Sequence, residues 1–197
     1  MEPLELLDQL WQSHADLVAQ TRQACSDSIA AAGETLIHAL GQGNAVFVCG
    51  NGGSAADAQH FAAELVGRFV SKTRRPLPAT ALTVDSSALT SISNDFGYDQ
   101  IFARQIEALA RPGDILVGIS TSGRSGNVLA AMEKAYQLGI NCIGLAGADG
   151  SAMAPYCAQV VAVPHTETDR IQEMHITIIH AWCQMVDGQF GSAQDNG

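Results

Sequence analysis

A strand, a glycine-rich turn and a helix follow one another over residues 46–67, and this unit limits most strongly what the chain can fold into. Residues 46–48 are β-branched or aromatic and suit a buried strand. Three of the four turn residues 50–53 are glycines, which permit positive φ and let a ligand approach the backbone. Ser54 is placed to cap the helix that follows. The free N–H groups at such a helix start predict an anion site.

The helix of this unit contains His60 and Glu64, four residues apart and therefore on one face. The turn before it is neither a Walker loop nor a dinucleotide fingerprint, because the required Lys and spaced glycines are missing. The pair is open to three interpretations: a solvated helical pair, a metal pair, or acid and base groups. Two residues alone are a weak metal signal. Together with the anion site, the pair indicates an enzyme.

A second informative loop follows the predicted strand 115–119. It places four hydroxyls within six residues, just before a helix: Ser120, Thr121, Ser122 and Ser125. Hydroxyls and free N–H groups can surround a phosphate without a positive side chain. This suits a chain of net charge −10, which argues against nucleic acid or anionic membrane as a direct partner. The alternative is a serine-rich turn with a helix cap.

Strands alternate with helices along the chain, which predicts one α/β domain over residues 1–197 with a five-stranded parallel sheet. The favoured strand order is 2-1-3-4-5, as in flavodoxin-like folds. In that order strands one and three are neighbours at the topological switch point, where ligands bind outside the carboxyl ends. The glycine turn and the serine loop are therefore expected to face each other.

The N-terminal segment 1–43 is predicted to form two helices that pack against another subunit. The first runs from Leu4 to about Gln23, and the second begins at Ser26 or Asp27. The five cysteines show no metal spacing, which indicates a reducing cytoplasm. An acidic N-terminus and the lack of a long apolar run argue against a signal peptide and a membrane span.

The last predicted helix, about 169–189, contains Gln172 and His180, eight residues apart. That spacing separates their Cα atoms by roughly 12 Å along the axis and by about 80° in direction. Either the helix begins after Gln172, or the two side chains reach one site from different chains. The simpler interpretations are a capping box for Gln172, three residues after Asp169, and a structural role for His180.

Four motifs resemble the sugar isomerase (SIS) domain family, and they cover nearly the whole chain in the family's order. They read GNGGSAADAQHFAAEL, SNDFGYDQIF, GISTSGRSGNV and DRIQEMHITIIH. Within the family they are most similar to the isomerases of phosphorylated seven-carbon sugars. The resemblance implies a three-layer α/β sandwich, a cytoplasmic homotetramer with sites at subunit interfaces, and no organic cofactor. It also implies conversion of sedoheptulose 7-phosphate to D-glycero-D-manno-heptose 7-phosphate through an enediol, the first step of ADP-heptose synthesis for the lipopolysaccharide core.

The resemblance also implies roles for individual residues. Glu64 and His180 would transfer protons. A zinc set seen in some members, one ion per subunit, matches His60, Glu64, Gln172 and His180. The residues expected to bind substrate are Asn51, Gly52, Gly53, Ser54, Glu64, Asn94, Asp95, Ser120, Thr121, Ser122, Ser125 and Gln172, with the four hydroxyl residues on the phosphate. Arg124 departs from the family, whose members often have Asn there.

Two other functions are weighed against the enzyme. A close relative in the family is a binding protein that assembles a replication initiator, and its positions matching Glu64 and His180 are not an acid/base pair. Both residues are present here, which favours the enzyme. A phosphosugar-sensing regulator usually adds a DNA-binding segment, and none is predicted in these 197 residues.

Overall fold

The computed structural model describes residues 2–191, which form a five-stranded sheet between two layers of helices. The strands are β1 Val46–Gly50, β2 Ala79–Ala81, β3 Ile115–Ser120, β4 Asn141–Ala146 and β5 Cys157–Ala162. The helices are α1 Pro3–Gly41, α2 Gly53–Val66, α3 Ser86–Phe96, α4 Ala103–Leu109, α5 Gly126–Gln137 and α6 Thr168–Phe190, with 3₁₀ turns at Tyr98–Gln100 and Ala154–Tyr156. All strand pairs are parallel in the order β2-β1-β3-β4-β5, which confirms the predicted sheet.

The side chains of the central strands alternate between two buried cores. In β1, Val46 and Val48 face the core shared with α1, α2 and α6. Phe47 and Cys49 face the opposite core, which contains residues of α4 and α5. All residues of β1 and β3 are buried, as expected for parallel strands covered on both faces. The result is the three-layer sandwich that the family resemblance implies.

The predicted break in the N-terminal segment is wrong, because α1 is a single helix of 39 residues. Residues 4–32 contain neither Gly nor Pro, so nothing in this stretch forces the helix to end. The hydroxyl of Ser26 donates to the Arg22 carbonyl (2.5 Å), and that of Ser28 donates to the Cys25 carbonyl (3.0 Å). These hydroxyls bond back to the preceding turn, so they do not cap a new helix.

The two halves of α1 have different surroundings. The C-terminal half packs on α6, where the indole of Trp182 donates to the Ile29 carbonyl (2.9 Å). A Cβ at Gly33 would lie 2.6 Å from the Met185 sulfur, so glycine permits this close helix contact. The N-terminal half leaves apolar side chains exposed, including Leu4 (76%) and Trp11 (69%). Its packing against another subunit stays a prediction.

The sequence predicts a strand over residues 79–84, a short helix over 86–95 and a helix over 99–110, and the structure differs at a boundary of each. Strand β2, expected over residues 79–84, has three residues, and the chain then turns into α3, whose start is capped by Asp85 accepting from Ala88 N–H (2.9 Å). Helix α3 continues through Phe96, and Gly97 ends it at φ 90°. The helix expected over residues 99–110 divides into a 3₁₀ turn and α4. Within residues 2–191, no helix is long and apolar enough to cross a bilayer.

Candidate active site

The glycine turn joins β1 to α2 without a side-chain cap. Gly52 occupies the N-cap position at φ 56°, and α2 begins at Gly53. A Cβ at Gly50 would lie 2.6 Å from the Ser54 carbonyl oxygen, so the turn requires glycine at that position. Ser54 is buried inside the first turn, and the predicted capping role is therefore wrong. Its contact with substrate stays a prediction.

The glycine turn and the serine loop meet at the carboxyl edge of the sheet. Asn51 and Asn127 exchange two side-chain hydrogen bonds, each 2.8 Å long. The hydroxyl of Tyr98 donates to Asn51 Oδ1 (3.0 Å). This contact is what the predicted strand order requires. Sequence reasoning did not single out Asn127 or Tyr98, although each lies inside one of the quoted motifs.

The serine loop gathers its hydroxyls beside the start of α5. Ser120 is 3% exposed, and its Oγ lies 2.9 Å from Ser125 Oγ and 3.4 Å from Ser122 Oγ. Gly123, at φ 66°, closes the turn by donating to the Ser120 carbonyl (2.9 Å). Ser125 is the N-cap of α5 without a side-chain cap bond. Hydroxyls and unpaired N–H groups at one helix start suit a phosphate.

Arg124 forms an ion pair with a residue outside the serine loop. Its guanidinium forms an ion pair with Asp149, and both side chains are largely exposed. Hydrogen bonds from Ser151, followed by the contacts of Arg124, lower the pKa of Asp149 to about 2. The cation beside the serine loop is therefore already paired at the surface, where such pairs contribute little stability.

The predicted proton-transfer residues lie together on α2 and α6. His60 Nε2 is 2.9 Å from His180 Nε2 and 3.5 Å from Glu64 Oε1. The ring of Phe69 packs against His180 with centroids 5.4 Å apart. The side chains of His60 and Glu64 are 41% and 22% exposed, so the cluster is open to a ligand.

Gln172 lies near the start of α6, beside the start of α2. Helix α6 includes both Gln172 and His180, so the alternative in which the helix begins after Gln172 is wrong. A Cβ at Gly53 would lie 2.7 Å from Gln172 Cδ, which places this carboxamide at the glycine turn. His180 lies about 12 Å further along the axis. One subunit therefore does not bring the four predicted zinc ligands together.

The candidate zinc ligands do not form an evident metal cluster among the described residues. Over residues 2–191, no group of three or more His, Cys, Asp or Glu side chains is placed to hold a metal ion. Nevertheless, His60, Glu64 and His180 offer the nitrogen and oxygen atoms that zinc binds. Two of these atoms, His60 Nε2 and His180 Nε2, are instead within hydrogen-bond distance of each other (2.9 Å).

Asp57 is a half-buried carboxylate between the glycine turn and His60 that sequence reasoning did not single out. It lies on α2 between Gly53 and His60, and burial raises its pKa to about 6, with a smaller opposing effect of His60. Its Oδ2 is buried and has no hydrogen-bond partner among residues 2–191. The sequence pattern that could have indicated Asp57 is its position three residues before His60, on the same helical face.

Asn94 and Asp95 are exposed near the end of α3. The amide of Asn94 donates to Asp95 Oδ1 (2.7 Å), and within the described chain no hydrogen bond joins either side chain to the glycine turn or the serine loop. Tyr98, three residues after Asp95, does reach Asn51. Substrate binding by Asn94 and Asp95 stays a prediction.

Comparison with known proteins identifies the family. The sequence profile of the SIS domain matches residues 10–147. A phosphoheptose isomerase of Campylobacter jejuni subsp. jejuni serotype O:6 is 50% identical over 187 residues, covering 95% of this chain and 100% of the relative. The chain belongs to the phosphoheptose isomerases of the SIS domain family.

Solved structures of phosphoheptose isomerases share the fold. The structure from Neisseria gonorrhoeae has a TM-score of 0.88 at 40% identity, covering 95% of this chain and all of that one. The structure from Francisella tularensis has a TM-score of 0.91 at 37% identity, with the same coverage. The chain is thus an isomerase, and the alternative of a protein that assembles a replication initiator finds no support in these relatives.

Gly53→Ala tests whether Gln172 acts at the glycine turn. The new Cβ displaces the Gln172 carboxamide, so we expect KM to rise about tenfold, the loss of roughly one substrate hydrogen bond. Gly188→Ala on α6 is the matched control, because a Cβ there meets no atom within 4 Å. Steady-state kinetics of both variants provide the measurement. An unchanged KM in Gly53→Ala would remove Gln172 from the site.

Proposed function

We propose that the protein converts sedoheptulose 7-phosphate to D-glycero-D-manno-heptose 7-phosphate through an enediol, the first step of ADP-heptose synthesis for the lipopolysaccharide core. The names of the relatives support the substrate class. The observation that supports the chemistry is the cluster of Glu64, His60 and His180 within 3.5 Å contacts. The hydroxyl-lined helix start at Ser120 and Ser125 supports a phosphorylated substrate.

In the proposed complex, the serine loop and the N–H groups at the start of α5 hold the phosphate. The sugar hydroxyls contact residues of the glycine turn, the end of α3 and the start of α6. These residues are Asn51, Gly52, Gly53, Ser54, Asn94, Asp95 and Gln172. Because the phosphate is held by hydroxyls and main-chain N–H groups, this binding needs no Lys or Arg and is compatible with the acidic chain.

The proposed reaction moves protons at two carbons and two oxygens. Glu64 removes a proton from C1 of the ketose, which forms the C1=C2 enediol, and returns a proton to C2, which gives the aldose. His180 protonates O2 as the enediol forms and removes the proton from O1 as the enediol gives the aldose. His60, in contact with both side chains, holds them at a fixed separation. Each positioned acid or base of this kind typically increases the reaction rate by about 10²- to 10⁴-fold.

Substrate length is the feature to test first. We expect the protein to isomerise sedoheptulose 7-phosphate with kcat/KM more than about tenfold above that for fructose 6-phosphate. The shorter sugar cannot place its carbonyl at the proton-transfer cluster while its phosphate stays in the serine loop. Conversion of the six-carbon sugar alone would contradict the assignment.

We also propose a cytoplasmic homotetramer whose sites lie at subunit interfaces. The separation between Gln172 and His180 is one support. Another is an open apolar groove between α1 and α6, lined in part by Val18, Ile29 and Ile178, which a second subunit would cover. All five cysteines are unpaired, as in a reducing compartment.

The proposal also includes zinc, one ion per subunit. His60, Glu64 and His180 would provide three ligands, and Gln172 would join them from a second subunit. No step of the proposed reaction runs through a metal. We expect elemental analysis to find about one zinc per chain and His60→Asn to lose it. His38→Asn on α1 is the control, and a native protein without zinc after purification in zinc-containing buffer would contradict this part.

A further inference from the structure

A buried ion pair joins the two helices that contain the proton-transfer residues. Arg74 lies between α2 and β2, and its Nε is 2.6 Å from Oδ1 of Asp187 on α6. The two side chains are only 1% and 4% exposed. Asp187 follows His180 by seven residues, two helical turns, and so lies on nearly the same face of α6.

The other donors of Arg74 reach the end of α2. Its Nη2 donates to the main-chain carbonyl of Glu64 (2.6 Å), and its Nη1 donates to the carbonyl of Leu65 (2.9 Å). The last carbonyls of a helix have no partner within the helix, and a cation there is favoured by the helix dipole. Arg74 therefore fixes the turn of α2 that contains the predicted base.

Asp187 fixes the segment that covers His180. Its Oδ2 accepts from the N–H groups of Val70 (2.8 Å) and Ser71 (2.7 Å). Phe69, the residue before this pair, packs its ring on His180. The carboxylate is thus bonded on one side to Arg74 and on the other to the backbone beside the histidine contact.

We infer that Arg74 is a positioning residue for the reaction, acting through Glu64 and, with Asp187, through His180. This inference rests on the proposed function of those two residues. The guanidinium bonds both the backbone of Glu64 and a carboxylate of the His180 helix. Proton transfer is sensitive to such placement, since a displacement of about 1 Å can cost about 10²-fold in rate.

Stability alone is a weaker explanation for the pair. Replacing a buried ion pair by well-packed apolar side chains is often neutral for stability, whereas removing one partner is costly. A lysine at position 74 keeps the charge but lacks the planar fork of donors that reaches Asp187, Glu64 and Leu65 together. Arg74→Lys therefore keeps the positive charge and removes the planar arrangement of donors, so it shows which of the two the reaction requires.

The test compares Arg74→Lys and Asp187→Asn with Asp114→Asn. Asp114 is a matched control, because its buried carboxylate also accepts from two backbone N–H groups, of Ala45 (2.8 Å) and Arg111 (2.7 Å), beside the starts of β1 and β3. We expect all three variants to melt earlier. At a temperature where all are folded, Arg74→Lys and Asp187→Asn should lose at least about tenfold in kcat, with KM within about threefold. Asp114→Asn should keep kcat within about twofold.

Two results would overturn the inference: full kcat in Arg74→Lys, or an equal loss in Asp114→Asn. If the single variants fail to fold, the double variant Arg74→Met with Asp187→Leu replaces them, because an apolar pair restores packing but not the bond to Glu64. Full kcat in that double variant also refutes positioning. Glu64→Gln belongs in the same series. If it is inactive while Arg74→Lys is fully active, only the positioning role fails; if Glu64→Gln is active, the proposed base fails.

Discussion

Glu64→Gln is expected to lower kcat by about 10²- to 10⁴-fold and to leave KM within about threefold. An amide has the shape of the carboxylate but cannot accept the proton from C1. Glu64 lies on a well-packed helix with its side chain 22% exposed, so the substitution should not disturb the fold. The measurement is steady-state kinetics with sedoheptulose 7-phosphate, together with hydrogen exchange at C1 in heavy water.

The matched control for this variant is Glu107→Gln. Glu107 is a largely exposed carboxylate on α4, paired with Lys134 at 3.3 Å, and it lies in no part of the proposed site. It should retain the activity of the unmodified protein. Retention of full activity by Glu64→Gln would contradict the assignment of the base, and loss of exchange together with kcat would support it.

Mixing two inactive variants should restore activity only for a particular pairing. His60 contacts both Glu64 and His180 in one chain, so these residues belong to one half of the site. Gln172, the glycine turn and the serine loop form the other half. Glu64→Gln mixed with Ser125→Leu, a variant that blocks the phosphate position, should regain about a quarter of full activity after subunits exchange at random. Glu64→Gln mixed with His180→Gln should regain none.

The mixing experiment needs proof of subunit exchange, for example by mass spectrometry of differently tagged chains. The unmixed variants give the background rate, and recovery of about a quarter of full activity should exceed that rate at least about 25-fold. Recovery with His180→Gln would place Glu64 and His180 on different subunits in the assembly. No recovery with either partner, once exchange is proven, would place the whole site within one chain.

The sheet and its loops could be predicted because their signals are local. The continuous apolar run of β1 and the hydroxyls after β3 are read directly from neighbouring positions, and strand order then brings Asn51 towards Asn127. Helical geometry also predicted that Gln172 and His180 are hard to bring together within one straight helix, and the structure places both on α6, with Gln172 at the glycine turn and His180 about 12 Å further along the axis.

The remaining features depend on choices that a local pattern does not determine. A serine hydroxyl can cap a helix or bond back to the preceding turn, so Ser26 and Ser54 were misassigned. The pairing of Arg74 with Asp187 spans 113 residues and has no periodic signal. The role of Gly53 in admitting Gln172 appears only when two distant segments are packed together.

The most direct test of the proposed chemistry is NMR of sedoheptulose 7-phosphate in heavy water with the purified protein. A proton held by Glu64 between C1 and C2 exchanges with solvent, so the account predicts an aldoheptose 7-phosphate with deuterium at C2. An aldoheptose product without deuterium at C2 would indicate a direct hydride shift and contradict the enediol route. Absence of any aldoheptose would contradict the function itself.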